Sequence, residues 1–131
     1  MSTITINETS QSFAPETRLV QAIEQMGIEI GHRCGGQAKC TTCRVVFVEG
    51  EPATMTRAEF TQLHNRELFG DYRLSCQILC DHDMTVEPQM TLESEGWSDT
   101  GPAVADVVQP DAEWYTVAQL AQSVEDAGGE D

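Results

Sequence analysis

Residues Cys34-Gly35-Gly36-Gln37-Ala38-Lys39-Cys40-Thr41-Thr42-Cys43 place three thiols in a run of ten, and a fourth stands far downstream in Arg73-Leu74-Ser75-Cys76-Gln77. A loop wrapped around a small inorganic cluster requires that combination, and few other chemistries do. Such a loop is neither helix nor strand, because its backbone must curl until successive amide N–H groups point at sulfur. Gly35 and Gly36 permit the positive φ angles and the close approach that this demands. The remainder of the chain has to supply a scaffold for the loop and return Cys76 to it.

The scaffold is legible in patches. Residues 3–7 alternate polar and apolar, with Ile4 and Ile6 on one side, and predict a half-buried strand. Turn formers at 7–10 and a short return strand at 11–13 make a hairpin. Pro15 and Glu16 suit a first helical turn, so a helix is expected from there, with Leu19, Val20, Ile23 and Met26 on its apolar face and Gly27 closing it. The β-branched and aromatic run at 44–48 is the best central-strand candidate. Thr56 is placed to cap a helix over 56–63, with Glu59 at the reciprocal position of a capping box. Residues 84–87 form a last short strand closed by Pro88. The order predicts an α+β domain with one mixed sheet and a helix packed across it, over residues 1–90.

Residues 91–131 read as an acidic C-terminal extension. The stretch 91–111 is too polar to bury a core of its own and is expected to be extended or draped. Residues 113–127 carry Trp114, Val117, Ala118, Ala121 and Val124 at helical spacing, enough for an amphipathic helix that needs a surface to lie on. Trp97, Trp114 and Tyr115 are expected to pack back on the domain rather than to anchor a partner.

The net charge of -15 argues against nucleic acid and against anionic membrane surfaces, and favours partners with basic docking faces. It is unevenly placed. Up to Arg73 there are nine acidic and seven basic residues, whereas from Leu74 onward there are thirteen acidic residues and no Lys or Arg. No apolar run approaches the length of a membrane span, and the N-terminus has no signal-peptide pattern, so a soluble, cytoplasmic protein is expected. Five cysteines in a reducing compartment read as metal ligands or free thiols rather than disulfides.

A [2Fe-2S] rhomb needs four thiolates, two per iron, and Cys34, Cys40, Cys43 and one later cysteine meet that count. Arg33, Lys39 and Arg44 flank the anionic centre. Structural zinc is less suited, because zinc sites usually present two tight pairs and Cys40-x2-Cys43 is answered only by the looser Cys76-x3-Cys80. A Rieske centre would need a Cys-x2-His partner, which is missing, and a thioredoxin-like Cys-x2-Cys would open a helix rather than precede a strand. His32 is expected to be a partly exposed loop residue, and His64 and His82 surface residues. No Gly-rich phosphate loop, nucleophile triad or distinct carboxylate pair points to an enzyme.

With Cys34-x5-Cys40-x2-Cys43 and Arg73-Leu74-Ser75-Cys76-Gln77, residues 2–90 resemble the β-grasp [2Fe-2S] ferredoxins, nearer the adrenodoxin-like and bacterial branches than the plant-type spacing. The run from Cys34 to Val45 is also similar to ferredoxin domains fused to bacterial reductases. The resemblance implies one cluster per chain, Cys34 and Cys40 on one iron, Cys43 and Cys76 on the other. The sequence around Cys76 favours it over Cys80, which then is a small buried hydrophobe. It also implies a monomeric one-electron carrier that takes electrons from a ferredoxin reductase and passes them to acceptor enzymes. The alternative is a redox-sensing or scaffold iron–sulfur protein whose acidic tail binds a partner. The acidic docking helix of adrenodoxin-like proteins does not transfer, because residues 57–71 carry mixed charges.

Overall fold

The computed structural model describes residues 1–110 and 112–128. Strands β1 (Ser2–Ile6) and β2 (Thr9–Phe13) form an antiparallel hairpin around Asn7 and Glu8, both at positive φ. Two such residues in succession give the turn whose twist matches that of the flanking strands. On β1, Ser2, Ile4 and Ile6 are buried while Thr3 and Thr5 lie at the margin.

With β3 (Arg44–Glu49), β5 (Arg73–Leu74) and β6 (Met84–Pro88), the hairpin completes a five-stranded sheet of order β2-β1-β6-β3-β5. Strands β1 and β6 run parallel, and the other pairings are antiparallel. This mixed sheet with its packed helix is the α+β β-grasp architecture. The hydrophobic β3 is an interior strand as expected, paired on both sides by β6 and β5, although Val48 near its end remains 57% exposed; β6 holds the middle of the sheet. A central strand needs two neighbours but only one buried face, and Met84 and Val86 supply that face while Thr85 and Glu87 turn away. Pro88, which has no N–H to donate, closes the strand.

Helix α1 (Leu19–Gln25) brings Leu19, Val20, Ala22 and Ile23 into one buried cluster with Ile4, Ile6, Val45, Met84 and Val86. Each aliphatic buried this way contributes about 1.5–3 kcal/mol. The helix starts at Leu19, four residues after the expected Pro15. Residues 14–17 form a turn instead, closed by Thr17 N–H on Ala14 O at 3.0 Å, and the chain then bridges to residues 78–80: Leu19 N–H donates to Ile78 O at 2.7 Å, and Cys80 N–H donates to Thr17 O at 2.8 Å. Arg18, at the cap position, therefore has an extended backbone, and its side chain is left free for other use.

Helix α2 (Arg57–Asn65) is capped by Thr56, whose Oγ1 accepts from Glu59 N–H. Glu59 does not complete a capping box. Its carboxylate is fully buried and takes Arg73 Nε and Leu74 N–H, each at 2.8 Å. Burial pulls the Arg73 pKa down, but the Glu59 and Glu51 carboxylates outweigh it and the guanidinium titrates above its ordinary value.

Past residue 90 the chain stays on the sheet domain. Thr91 bridges to Ile30, and Ser94 closes a capping box on the short helix α3 (Leu92–Glu95). Strand β4 (Thr54–Thr56) pairs with β7 (Trp114–Thr116) in a second, two-stranded sheet, followed by α4 (Val117–Gly128). Residues 114–116, expected within the helix, are thus a strand, because β4 offers an open edge beside them. The side chain that anchors α4 is Leu120, 3% exposed, with Val117 and Val124 partly buried beside it. Tyr115 and Trp97 are partly buried, and Trp114 is 43% exposed.

Removing one partner of the buried Glu59–Arg73 pair leaves an uncompensated charge, which costs about 3–5 kcal/mol. Glu59→Gln is expected to lower the melting temperature of the full chain by about 10 °C or more. An unchanged melting curve would contradict the role given to the pair.

Candidate metal centre

The cysteine loop turns inward at Gly35, Gly36, Ala38 and Thr41, all at positive φ. The glycines adopt this freely. Ala38 and Thr41 carry strain of about 1–3 kcal/mol each, and nothing in their residue type foretells it. What opposes the strain is a set of amides aimed at sulfur. Gln37 and Lys39 N–H donate to Cys34 Sγ at 3.2 and 3.4 Å, and Cys34 N–H donates to Cys40 Sγ at 3.3 Å. Thr42 Oγ1 lies 3.0 Å from Cys40 Sγ, and the Ala38 backbone serves Cys76.

The thiols form two pairs. Cys34 and Cys40 share a hydrogen bond near the surface, which pulls Cys34 down to about 4 and pushes Cys40 up. Cys43 and Cys76 share another in the interior, where Cys43 is pushed up and Cys76 pulled down. Cys34 and Cys40 are half-buried; Cys43 and Cys76 are buried. Among the described residues no three His, Cys, Asp or Glu side chains gather around a single metal position. Two irons, each with two thiolates, use such a two-plus-two donor set, whereas one tetrahedral zinc needs all four at one point. The donors and their N–H partners fit a [2Fe-2S] cluster.

The segment around Cys76 places this sulfur through every one of its side chains. Arg73 is pinned by Glu59. Leu74 is in the core, and Ser75 Oγ donates to Cys43 O at 2.7 Å, joining the two inner-thiol segments. Gln77 accepts from Thr56 Oγ1 at 2.7 Å, donates to Gln109 O at 2.7 Å, and lies 3.6 Å from Cys76 Sγ. Cys80 stands apart from these pairs: it is buried, and burial together with Asp81 pushes its thiol up to about 12.

Two further residues hold the site, and only the second has no signal in the sequence. The first is His32, which is buried rather than partly exposed, because Pro102 O at 2.8 Å and Glu24 Oε2 at 3.0 Å enclose its ring. The second is Arg18, sixteen residues ahead of the first thiol and 0% exposed. Its guanidinium donates to Cys76 O, Gly36 O, Ala105 O and Val107 O. Burial lowers its pKa, opposed by the charge of Cys76, Cys43 and Cys34. Residues 100–109 thereby lie across the loop, held also by Thr100 O on His32 N–H and by Gln109 on Gln37. The remaining cations are more peripheral. Arg44 binds Thr41 and covers Tyr72, Arg33 covers Trp97, and Gln62 and Arg66 donate to Lys39 O.

Fold and donor set together define a ferredoxin-type electron-transfer protein. The sequence model of the 2Fe-2S iron-sulfur cluster binding domain matches residues 4–81, and the chain belongs to that family, with a [2Fe-2S] cluster as its cofactor. It is 36% identical over 85 residues to the F subunit of the Na(+)-translocating NADH-quinone reductase of Chlamydia felis, spanning 63% of this chain and 19% of that one. The same reductase component of Marinomonas sp. is 30% identical over 114 residues, 82% of this chain and 27% of its relative. The chain therefore corresponds to a fraction of these longer proteins. Among solved structures it resembles the ISC-like [2Fe-2S] ferredoxin FdxB of Pseudomonas putida, with a TM-score of 0.55 at 27% identity, over 66% of this chain and 91% of that one. No helix among the described residues is long and apolar enough to cross a membrane.

At Gly36, with φ of 79°, a Cβ would lie 2.8 Å from both Arg18 Nη2 and Val104 Cγ1. Gly70, with φ of 95°, has open space around it. Gly36→Ala is expected to reduce iron content per chain and to destabilise by about 2 kcal/mol more than Gly70→Ala, which meets only the backbone strain. Equal effects of the two substitutions on iron content and melting would show that close approach at Gly36 does not matter.

Proposed function

We propose that the chain is a one-electron carrier that takes electrons from a reductase and passes them to acceptor enzymes, through a cluster ligated by Cys34 and Cys40 at one iron and by Cys43 and Cys76 at the other. The observation that carries this is the division of the thiols into an outer, half-exposed pair and an inner, buried pair, with backbone amides aimed at the outer sulfurs. The cluster, when bound, accepts and releases one electron at low potential. The protein's part is to keep water from the inner pair, to hold amide N–H groups against the sulfurs, and to leave the outer pair near the surface where a partner can approach. We take the ferredoxin domain to be residues 1–90, with residues 91–131 as an acidic extension.

The relatives support a second reading within the same chemistry, in which the chain serves as the iron–sulfur module of a larger NADH-dependent reductase, since they are proteins several times its length. In either case a charge of -15 favours partners with basic docking faces and a chain that acts as a monomer. Four cysteines acting as thiolate ligands suit a reducing compartment such as the cytoplasm.

The test is to reduce the full chain anaerobically with dithionite and mix it with a basic one-electron acceptor such as cytochrome c. One electron per chain is expected to transfer, with a rate that falls about tenfold or more as ionic strength rises from ~0.01 to ~0.5 M. Cys80→Ser keeps this transfer and Cys76→Ser loses it. A rate that does not fall with salt would contradict the docking, and transfer that survives Cys76→Ser would contradict the ligand set.

A further inference from the structure

Arg18 is a buried charge satisfied in an uncommon way. All five of its N–H donors are used, and every acceptor is a backbone carbonyl: Nε and Nη2 on Cys76 O at 3.0 and 2.6 Å, Nη2 on Gly36 O at 2.6 Å, and Nη1 on Ala105 O and Val107 O at 2.8 and 3.1 Å. Carbonyls satisfy its hydrogen bonds but bring only partial charge. Among the described residues no carboxylate forms an ion pair with it, in contrast to Arg73, which is paired with Glu51 and Glu59. A wholly buried, unpaired guanidinium is strongly disfavoured unless a counter-charge lies close by. Its bonds to Cys76 O and Gly36 O set it between the fourth-cysteine turn and the first-cysteine loop, whose sulfurs are negatively charged thiolates when they ligate iron.

We propose that Arg18 is the internal counter-cation of the cluster and a positioning residue for its loop, which raises the reduction potential and ties residues 100–107 across the site. The proposal rests on the ligand set given above. Adding an electron makes the cluster one charge more negative, and a fixed cation at the Cys76 carbonyl favours that state. Because Arg18 is 0% exposed, salt cannot screen the effect as it screens surface charges. The same fork binds one carbonyl from the first-cysteine loop, one from the fourth-cysteine turn and two from the C-terminal segment. Charge and position therefore come from one side chain but depend on different properties of it: the charge needs only a cation, the position needs the planar fork.

Two variants of the full, cluster-loaded chain separate these properties. Arg18→Gln removes the charge and is expected to shift the oxidised-to-reduced ratio at fixed ambient potential at least tenfold toward oxidised, about 59 mV for a one-electron couple. That shift persists at high salt. Arg18→Lys keeps the charge without the fork; its midpoint is expected to stay within about threefold of the parent in the same ratio, while amide exchange in residues 100–107 accelerates about tenfold. Should Arg18→Gln fail to retain the cluster, Arg18→Lys alone decides through its paired readouts. A midpoint unmoved in Arg18→Gln, a midpoint lowered equally by both variants, or unaltered exchange in Arg18→Lys overturns the proposal. A parent chain that holds no [2Fe-2S] cluster overturns the ligand reading and this one with it, whereas a loaded parent with unresponsive variants overturns this one alone.

Discussion

Four thiolates gathered at a half-buried site carry more negative charge than a protein interior accepts without compensation, and the way this chain supplies compensation explains much of its structure. The nearest contribution is local: amides of Cys34, Gln37 and Lys39 point at sulfur because the loop curls through repeated positive φ angles. The next is remote: the Arg18 guanidinium reaches the Cys76 and Gly36 carbonyls from the cap of α1. That reach is available because backbone pairing with residues 78–80 keeps Arg18 extended and delays the helix to Leu19.

Cys76 depends on a second buried electrostatic arrangement. The strand that carries it into place is short, two residues, and would be weakly held by sheet pairing alone. Glu59 secures it from α2 by taking both the Arg73 side chain and the Leu74 amide, and Thr56 reaches Gln77 on the far side of the thiol. The run Arg73-Leu74-Ser75-Cys76-Gln77 is thus a set of anchors, each side chain tied to a different element, rather than a signature of the ligand alone. The segment after residue 90 adds carbonyls to Arg18 and to Gln77, so the acidic half of the chain contributes backbone to the site.

The thiol spacing, the paired glycines and the alternation in β1 are enough to read the β-grasp fold and the cofactor, because these features answer to local backbone geometry and to ligand number. The departures share another cause. Local sequence favours a capping role for Glu59, a helix from Pro15 and a helical Trp114; each time a partner distant in sequence, Arg73, Ile78 and Thr56 respectively, outcompetes the local preference. The same holds for His32, which looks like a loop residue until Pro102 and Thr100 close over it, and for Arg18, which no spacing rule connects to a cysteine. Hydrophobicity does place β3 inside the sheet, between β6 and β5, but the middle position of β6 follows from its parallel pairing with β1, which no local pattern shows.

In the proposed ligand set the two thiol pairs bind the two irons of one [2Fe-2S] cluster. Quantifying iron and acid-labile sulfide in the purified full chain, with electron paramagnetic resonance of the dithionite-reduced sample, tests it most directly. About two irons and two sulfides per chain are expected, with a rhombic or axial signal from a one-electron-reduced [2Fe-2S] centre. Zinc in place of iron, or a reduced sample with neither iron nor signal, would contradict it.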